Sequence, residues 1–169
     1  MPRILIVNEE DEVIGLKEKS ELTSEDISRD TGLWVLDEND NILLAKRSAN
    51  KKIHPNLWSG AVAGTVEEDE TYESNIIKEA EEEIGLKNIK PIFLYKRLKT
   101  KDPRYKRMTG VFKIIINRET QLELEPMEVS EVKWFTKNEV QDLIETTPEI
   151  FSLNFPLFFS EFISYENKS

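Results

Sequence analysis

Gly64-Thr65-Val66-Glu67-Glu68-Asp69-Glu70-Thr71-Tyr72-Glu73-Ser74-Asn75-Ile76-Ile77-Lys78-Glu79-Ala80-Glu81-Glu82-Glu83-Ile84-Gly85-Leu86 decides the fold. A helix is predicted over 71–84, with Gly85 where a left-handed residue ends a helix. At roughly 100° per residue, Ile76, Ile77, Ala80 and Ile84 share the sector a core would cover. Glu79, Glu82 and Glu83 share the sector beside it. Like charges three or four residues apart repel by about 0.2–0.5 kcal/mol. Taken alone, Glu81-Glu82-Glu83 reads as a solvated helix face. The set also fits a divalent-cation site, because hard cations take carboxylate oxygens and make a bound water acidic enough to attack phosphorus.

Working outward, Ile4–Val7 and Val13–Leu16 read as short strands around the acidic turn at 9–12. The polar residues 20–30 are expected to form a loop or short helix. Gly32–Leu36 and Ile42–Ala45 read as a hairpin around 37–41. A basic loop at 46–55 precedes a strand-like run at 58–66. Further strands are expected over 91–98, 108–117 and 132–135, with an exposed loop at 99–107. A helix over 137–146, capped near Thr136, is stopped by Pro148, and a Phe-rich helix is expected over 157–165. Strands mixed with three helices predict an α/β or α+β domain.

The chain has 169 residues, a size suited to one domain. A single domain over 1–169 is expected, with an N-terminal extension at 1–30 and a C-terminal helical segment at 148–169. The formal net charge of −10 argues against DNA or an anionic membrane as partner. It is compatible with a small anionic substrate if metal ions supply local positive charge. The absence of Cys excludes disulfides, thiolate metal sites and cysteine nucleophiles. No apolar stretch approaches ~20 residues, and a cytoplasmic location is expected. Monomer and homodimer both stay open, since the Phe-rich run 151–162 suits a dimer as well as a core.

Gly64, five residues, Glu70, seven residues and Lys78-Glu79-Ala80-x-Glu82-Glu83-x-Gly85-Leu86 resemble the Nudix box, G-x5-E-x7-R-E-U-x-E-E-x-G-U, U being aliphatic. Only Lys78, standing for Arg, departs from the fixed positions. The resemblance implies an α/β/α sandwich on a mixed β-sheet, here with an N-terminal β-hairpin extension. It implies that Glu79, Glu82 and Glu83 bind Mg²⁺, with Mn²⁺ as a substitute. Glu79 or Glu82 would alternatively act as base, Lys78 would orient a catalytic carboxylate, and Glu70 would support the box loop or bind metal through water. Gly64 and Gly85 would give tight turns. Asp69 stands where the family often has Gly, and Asp tolerates the left-handed conformation better than most residues. Lys78 lacks the planar fork of Arg. Those two departures leave open a non-catalytic module that binds a phosphorylated ligand.

The flanks resemble the Nudix branch related to isopentenyl-diphosphate isomerase, through Leu43-Leu44-Ala45-Lys46-Arg47-Ser48, Lys51 to Trp58 and Glu128-Val129-Ser130-Glu131-Val132-Lys133-Trp134. The isomerase's Cys is missing, and His54 is the only His. Hydrolysis of a diphosphate linkage, as in a nucleoside diphosphate derivative, is therefore expected rather than isomerisation. Arg47, Lys51 and Lys52 are candidates for the substrate phosphates, Arg by bidentate contact. Lys96, Arg97, Lys99, Lys101, Arg104, Lys106 and Arg107 form a second basic set, read as a closing loop or a solubility feature. Glu128 is a candidate extra ligand or base. Trp34 and Trp58 are expected in the core, and His54 in a loop.

Overall fold

The computed structural model describes residues 1–100, 104 and 106–169. Among these there are nine strands and three α-helices, a mixed α/β fold. The strands are β1 (Ile4–Val7), β2 (Val13–Lys17), β3 (Ile27–Leu36), β4 (Ile42–Arg47), β5 (Trp58–Gly60), β6 (Val62–Thr65), β7 (Ile92–Lys99), β8 (Lys106–Ile115) and β9 (Val129–Phe135). The helices are α1 (Tyr72–Ile84), α2 (Lys137–Thr146) and α3 (Phe155–Lys168). None is long and apolar enough to cross a membrane. The chain divides into two compact units, Met1–Trp34 with Val62–Ile114, and Val35–Ala61 with Ile115–Ser169.

In the first unit, β1 and β2 form the expected hairpin, Leu5 opposite Leu16, and β1 continues onto β3. Strand β3 also takes β6, with Thr31 opposite Gly64, and β8, which pairs with β7. Residues 20–30 are not all loop: after one 3-10 turn at Lys19–Glu21, β3 starts at Ile27. Its first half is polar, yet Ser28, Asp30 and Thr31 are buried. Asp30 is held by Arg107 Nη1 at 3.3 Å and by the Thr109 hydroxyl. Asp30 and Thr31 are tolerated inside because they find partners, whereas Ser28 Oγ is buried without a hydrogen-bond partner among the described residues.

Thr71 caps α1, its Oγ1 accepting from Ser74 N at 3.0 Å, and Gly85 ends the helix at φ 73°. Ile76, Ala80 and Ile84 are buried as expected, whereas Ile77 is half-buried and Asn75 is buried in full. Tyr72 fixes the start of α1. Its ring lies so close to Gly110 that a Cβ there would meet Tyr72 Cδ1 at 2.6 Å. Its hydroxyl donates to Asp11 Oδ1 at 2.9 Å. Asp11 also accepts from Arg29 Nε at 2.7 Å and Lys96 Nζ at 2.6 Å. Burial works against the Asp11 charge, but these three donors outweigh it and hold its pKa low. Burial, and then the bond to Asp11, push the Tyr72 phenol far up, so it stays protonated.

In the second unit, β4 lies between β5 and β9 and also meets the last residues of β3, Val35 and Leu36. Strand β9 begins three residues earlier than expected, at Val129. Asp37 closes the turn to β4, its Oδ1 accepting from Asn39 N and Asn41 N at 2.9 Å each. Helix α2 occupies the expected span with Thr136 as cap. Phe151, Phe155, Phe159 and Phe162 are all buried, so the Phe-rich run serves this unit's own core. Trp34, in the first unit, is buried, and Trp58 packs edge-on against Phe135 at 5.6 Å.

Candidate active site

The box lies within the first unit, on β6, α1 and the loop between them. The family resemblance implies a tight turn at Gly64; it sits instead inside β6, in keeping with the strand-like run read at 58–66, and Gly85 alone among the described glycines has positive φ. Its missing side chain matters for another reason. A Cβ on Gly64 would fall 2.5 Å from Glu79 Cδ and 2.7 Å from Glu79 Oε1. The Glu79 carboxylate occupies the space a side chain would fill, and only 17% of the side chain is exposed. One turn on, Glu83 Oε2 accepts from the neighbouring Ala63 N at 3.4 Å. Asp69 does not adopt positive φ, so its replacement of Gly costs no backbone strain.

Glu82 is exposed. At 100° per residue it lies 60° from Glu79 on the side away from the apolar sector, whereas Glu83 lies 40° towards it. Among the described residues, no three carboxylate, imidazole or thiol groups are gathered tightly enough to hold a metal ion. The expected convergence is therefore partial: Glu79 and Glu83 reach β6 and Glu82 stands outward. Glu79, Glu82 and Glu83 offer carboxylate oxygens only, the ligand type that suits a hard cation such as Mg²⁺, which keeps several waters.

Lys78 faces the loop. Its Nζ pairs with Glu70 Oε1, lies 3.6 Å from Glu67 Oε2 and 3.9 Å from Glu79 Oε1. One ammonium thus faces three carboxylates, a task that needs no planar fork. Glu70 Oε2 accepts from Glu67 N at 3.0 Å and from Asn75 Nδ2 at 2.8 Å. Burial pushes the Glu70 pKa up, but Lys78, the Glu67 amide and Asn75 together bring it below the ordinary carboxylate range. For Lys78 burial works downward, and its pairing with Glu70 more than reverses that. Sequence reading missed Asn75, whose partners become evident only in three dimensions.

The proposed phosphate-binding cations belong to the second unit. Arg47 Nε and Nη2 donate to Ile53 O at 3.0 and 2.8 Å, bracing the loop after β4. Lys51 Nζ meets Glu128 Oε2 at 2.5 Å, so Glu128 is engaged by a cation. Lys52 is exposed. His54 and Asn56 adopt positive φ, 52° and 61°, either side of Pro55. Of the second basic set, Lys96 serves Asp11 and Arg107 serves Asp30. Lys101, with much of the expected 99–107 loop, lies outside the described residues.

The model of the NUDIX domain matches residues 27–153. The chain belongs to the Nudix family. Isopentenyl-diphosphate Delta-isomerase of Salmonella paratyphi B is 25% identical over 154 residues, covering 88% of this chain and 85% of that protein. The crystal structure of DR0079 from Deinococcus radiodurans superposes with TM-score 0.76 at 21% identity, covering 94% of this chain and 98% of that one. The Nudix domain of Shewanella oneidensis NrtR, solved with ADP ribose, gives TM-score 0.64 at 15% identity, with coverages of 90% and 94%. These likenesses bear out the mixed α/β Nudix fold and agree with the expected isomerase-related branch.

Proposed function

We propose that the chain is a Mg²⁺-dependent hydrolase of a diphosphate linkage, with nucleoside diphosphate derivatives as its substrate class. The observation carrying this reading is the seating of Glu79 over Gly64, with Glu83 beside it and Lys78 behind it. A side chain is kept out of β6 so that a carboxylate can sit there, an arrangement a merely solvated face does not need. Glu79, Glu82 and Glu83 hold the metal. When bound there, Mg²⁺ would neutralise charge on the substrate and make a water more acidic. Alternatively, Glu79 or Glu82 would leave the metal to the other two carboxylates and take the proton of the attacking water. Lys78 and Glu70 keep Glu79 in place. Gly85 lets the chain leave α1. Arg47, Lys51 and Lys52, on the second unit, are the proposed phosphate-binding cations. The NrtR domain's complex with ADP ribose supports that class of ligand.

A panel of ADP-ribose, nucleoside diphosphates, nucleotide sugars and isopentenyl diphosphate, assayed with Mg²⁺, tests this against Glu82→Gln. Hydrolysis of a nucleotide derivative by the native protein, lost in the variant, is expected. Equal turnover by both would sink the mechanism. Proton exchange into isopentenyl diphosphate without hydrolysis would favour the isomerase chemistry of the Salmonella relative.

A further inference from the structure

Asn75 is a polar residue buried in full in a helix whose other fully buried side chains, Ile76, Ala80 and Ile84, are apolar. Its amide is used on every side. Nδ2 donates to Thr65 O at 2.9 Å and to Glu70 Oε2 at 2.8 Å. Oδ1 accepts from Thr31 Oγ1 at 2.5 Å. Both amide hydrogens and the carbonyl are thereby satisfied. One side chain joins strand β3, the end of β6 and the loop carboxylate Glu70 to helix α1. A buried amide is costly unless fully bonded, and an apolar residue would fill the same space without that demand.

The bonds lead to one place. Glu70 gives its Oε2 to Asn75 and its Oε1 to Lys78, and Lys78 also faces Glu79. Thr31 lies opposite Gly64, over which Glu79 sits. We infer that Asn75 is a positioning residue for the metal-holding carboxylates: it fixes Glu70, which fixes Lys78, which sets Glu79 over Gly64. Thr31 orients the Asn75 amide so that both hydrogens point at Thr65 and Glu70. The inference rests on the reading of α1 as a metal-holding helix.

Mn²⁺ binding, read from the electron paramagnetic resonance signal of the free ion, needs no substrate and no turnover. Asn75→Ala is expected to weaken Mn²⁺ binding by about tenfold, the lower end for groups that orient metal ligands. Glu70→Gln is expected to weaken it comparably. Because Asn75 acts through Glu70, the double variant should be no weaker than the worse single one. Thr31→Val keeps the side-chain shape but leaves the buried Asn75 carbonyl unbonded, so it should weaken binding two- to threefold and lower the melting temperature while the protein still folds. It serves as the test if Asn75→Ala does not fold. Native-like Mn²⁺ affinity in folded Asn75→Ala or in Thr31→Val, or losses that multiply in the double variant, would overturn the inference while the metal reading stands. A native protein that binds no Mn²⁺ at millimolar concentration would overturn both.

Discussion

Two parts of this chain gather cations and carboxylates, and they use them differently. In the box, Lys78 is set among Glu67, Glu70 and Glu79, and Glu70 is further held by a backbone amide and a buried Asn75. In the loop after β4, Arg47 is spent on Ile53 O and Lys51 on Glu128, and His54 and Asn56 take left-handed conformations. The first network is braced by buried partners. In the second the acid is the more exposed partner, Glu128 at 39% against 14% for Glu70, and such an ion pair contributes about 0–1 kcal/mol. A braced network suits groups that must not move, and a weakly paired loop suits groups that exchange one anion for another.

The largest effect is expected from Gly64→Ala. The new Cβ would collide with Glu79, and displacing a catalytic group by about 1 Å costs on the order of 100-fold in rate. Gly64 does not have positive φ, so the backbone accepts Ala, and kcat should fall far more than the melting temperature. Wild-type turnover in this variant would break the idea that the box holds Glu79 rigidly.

Next comes Lys78→Ala, which leaves Glu70 without its cation and should destabilise by about 1–2 kcal/mol, allowing for partial exposure. The pH dependence identifies the cause. The Glu70 pKa is lowered in the fold, so its contribution is present above the unfolded carboxylate value and lost as pH falls through the lower folded one. The Lys78 pKa is raised, so its contribution is full below the unfolded lysine value and lost as pH rises through the higher folded one. Urea denaturation of both proteins should therefore show a gap that is flat between about pH 5 and 9 and narrows on either side. A gap constant down to pH 2 would point to packing instead. Lys78→Arg should keep most of the stability and activity.

Tyr72→Phe removes one hydrogen bond to Asp11 while leaving the ring on Gly110. A loss of about 1 kcal/mol in chemical denaturation is expected, with kcat changed less than twofold. The smallest stability effect belongs to the loop. Lys51→Ala should shift stability by less than about 1 kcal/mol, yet raise KM severalfold with kcat nearly unchanged. A large stability loss there would erase the contrast between the two regions.

Much of this was legible in the sequence, and the gaps share a physical cause. Helix α1, its Gly85 stop, the β1–β2 hairpin and α2 follow from periodicity and capping residues close to one another in the chain. The start of β3 was hidden because Ser28, Asp30 and Thr31 look like loop residues. Asp30 is satisfied by Arg107 and Thr109 far along the chain, and Thr31 by Asn75. Asn75 was hidden for the same reason. The helical wheel put Glu82 beside Glu79, but a wheel reports direction, not depth, and Glu82 stands exposed where Glu79 is covered. The strand-like run at 58–66 already holds Gly64, but the resemblance implies a turn there, whereas its use is the room left for Glu79.

Hydrolysis of the best compound of the panel in ¹⁸O-labelled water, followed by mass spectrometry of the two products, tests the reading of α1 as a metal-dependent hydrolytic centre. With Mg²⁺, the native protein should place one ¹⁸O on one product phosphate, and excess chelator or Glu82→Gln should abolish product. Labelled product formed at the same rate with chelator present, or by Glu82→Gln, would contradict it.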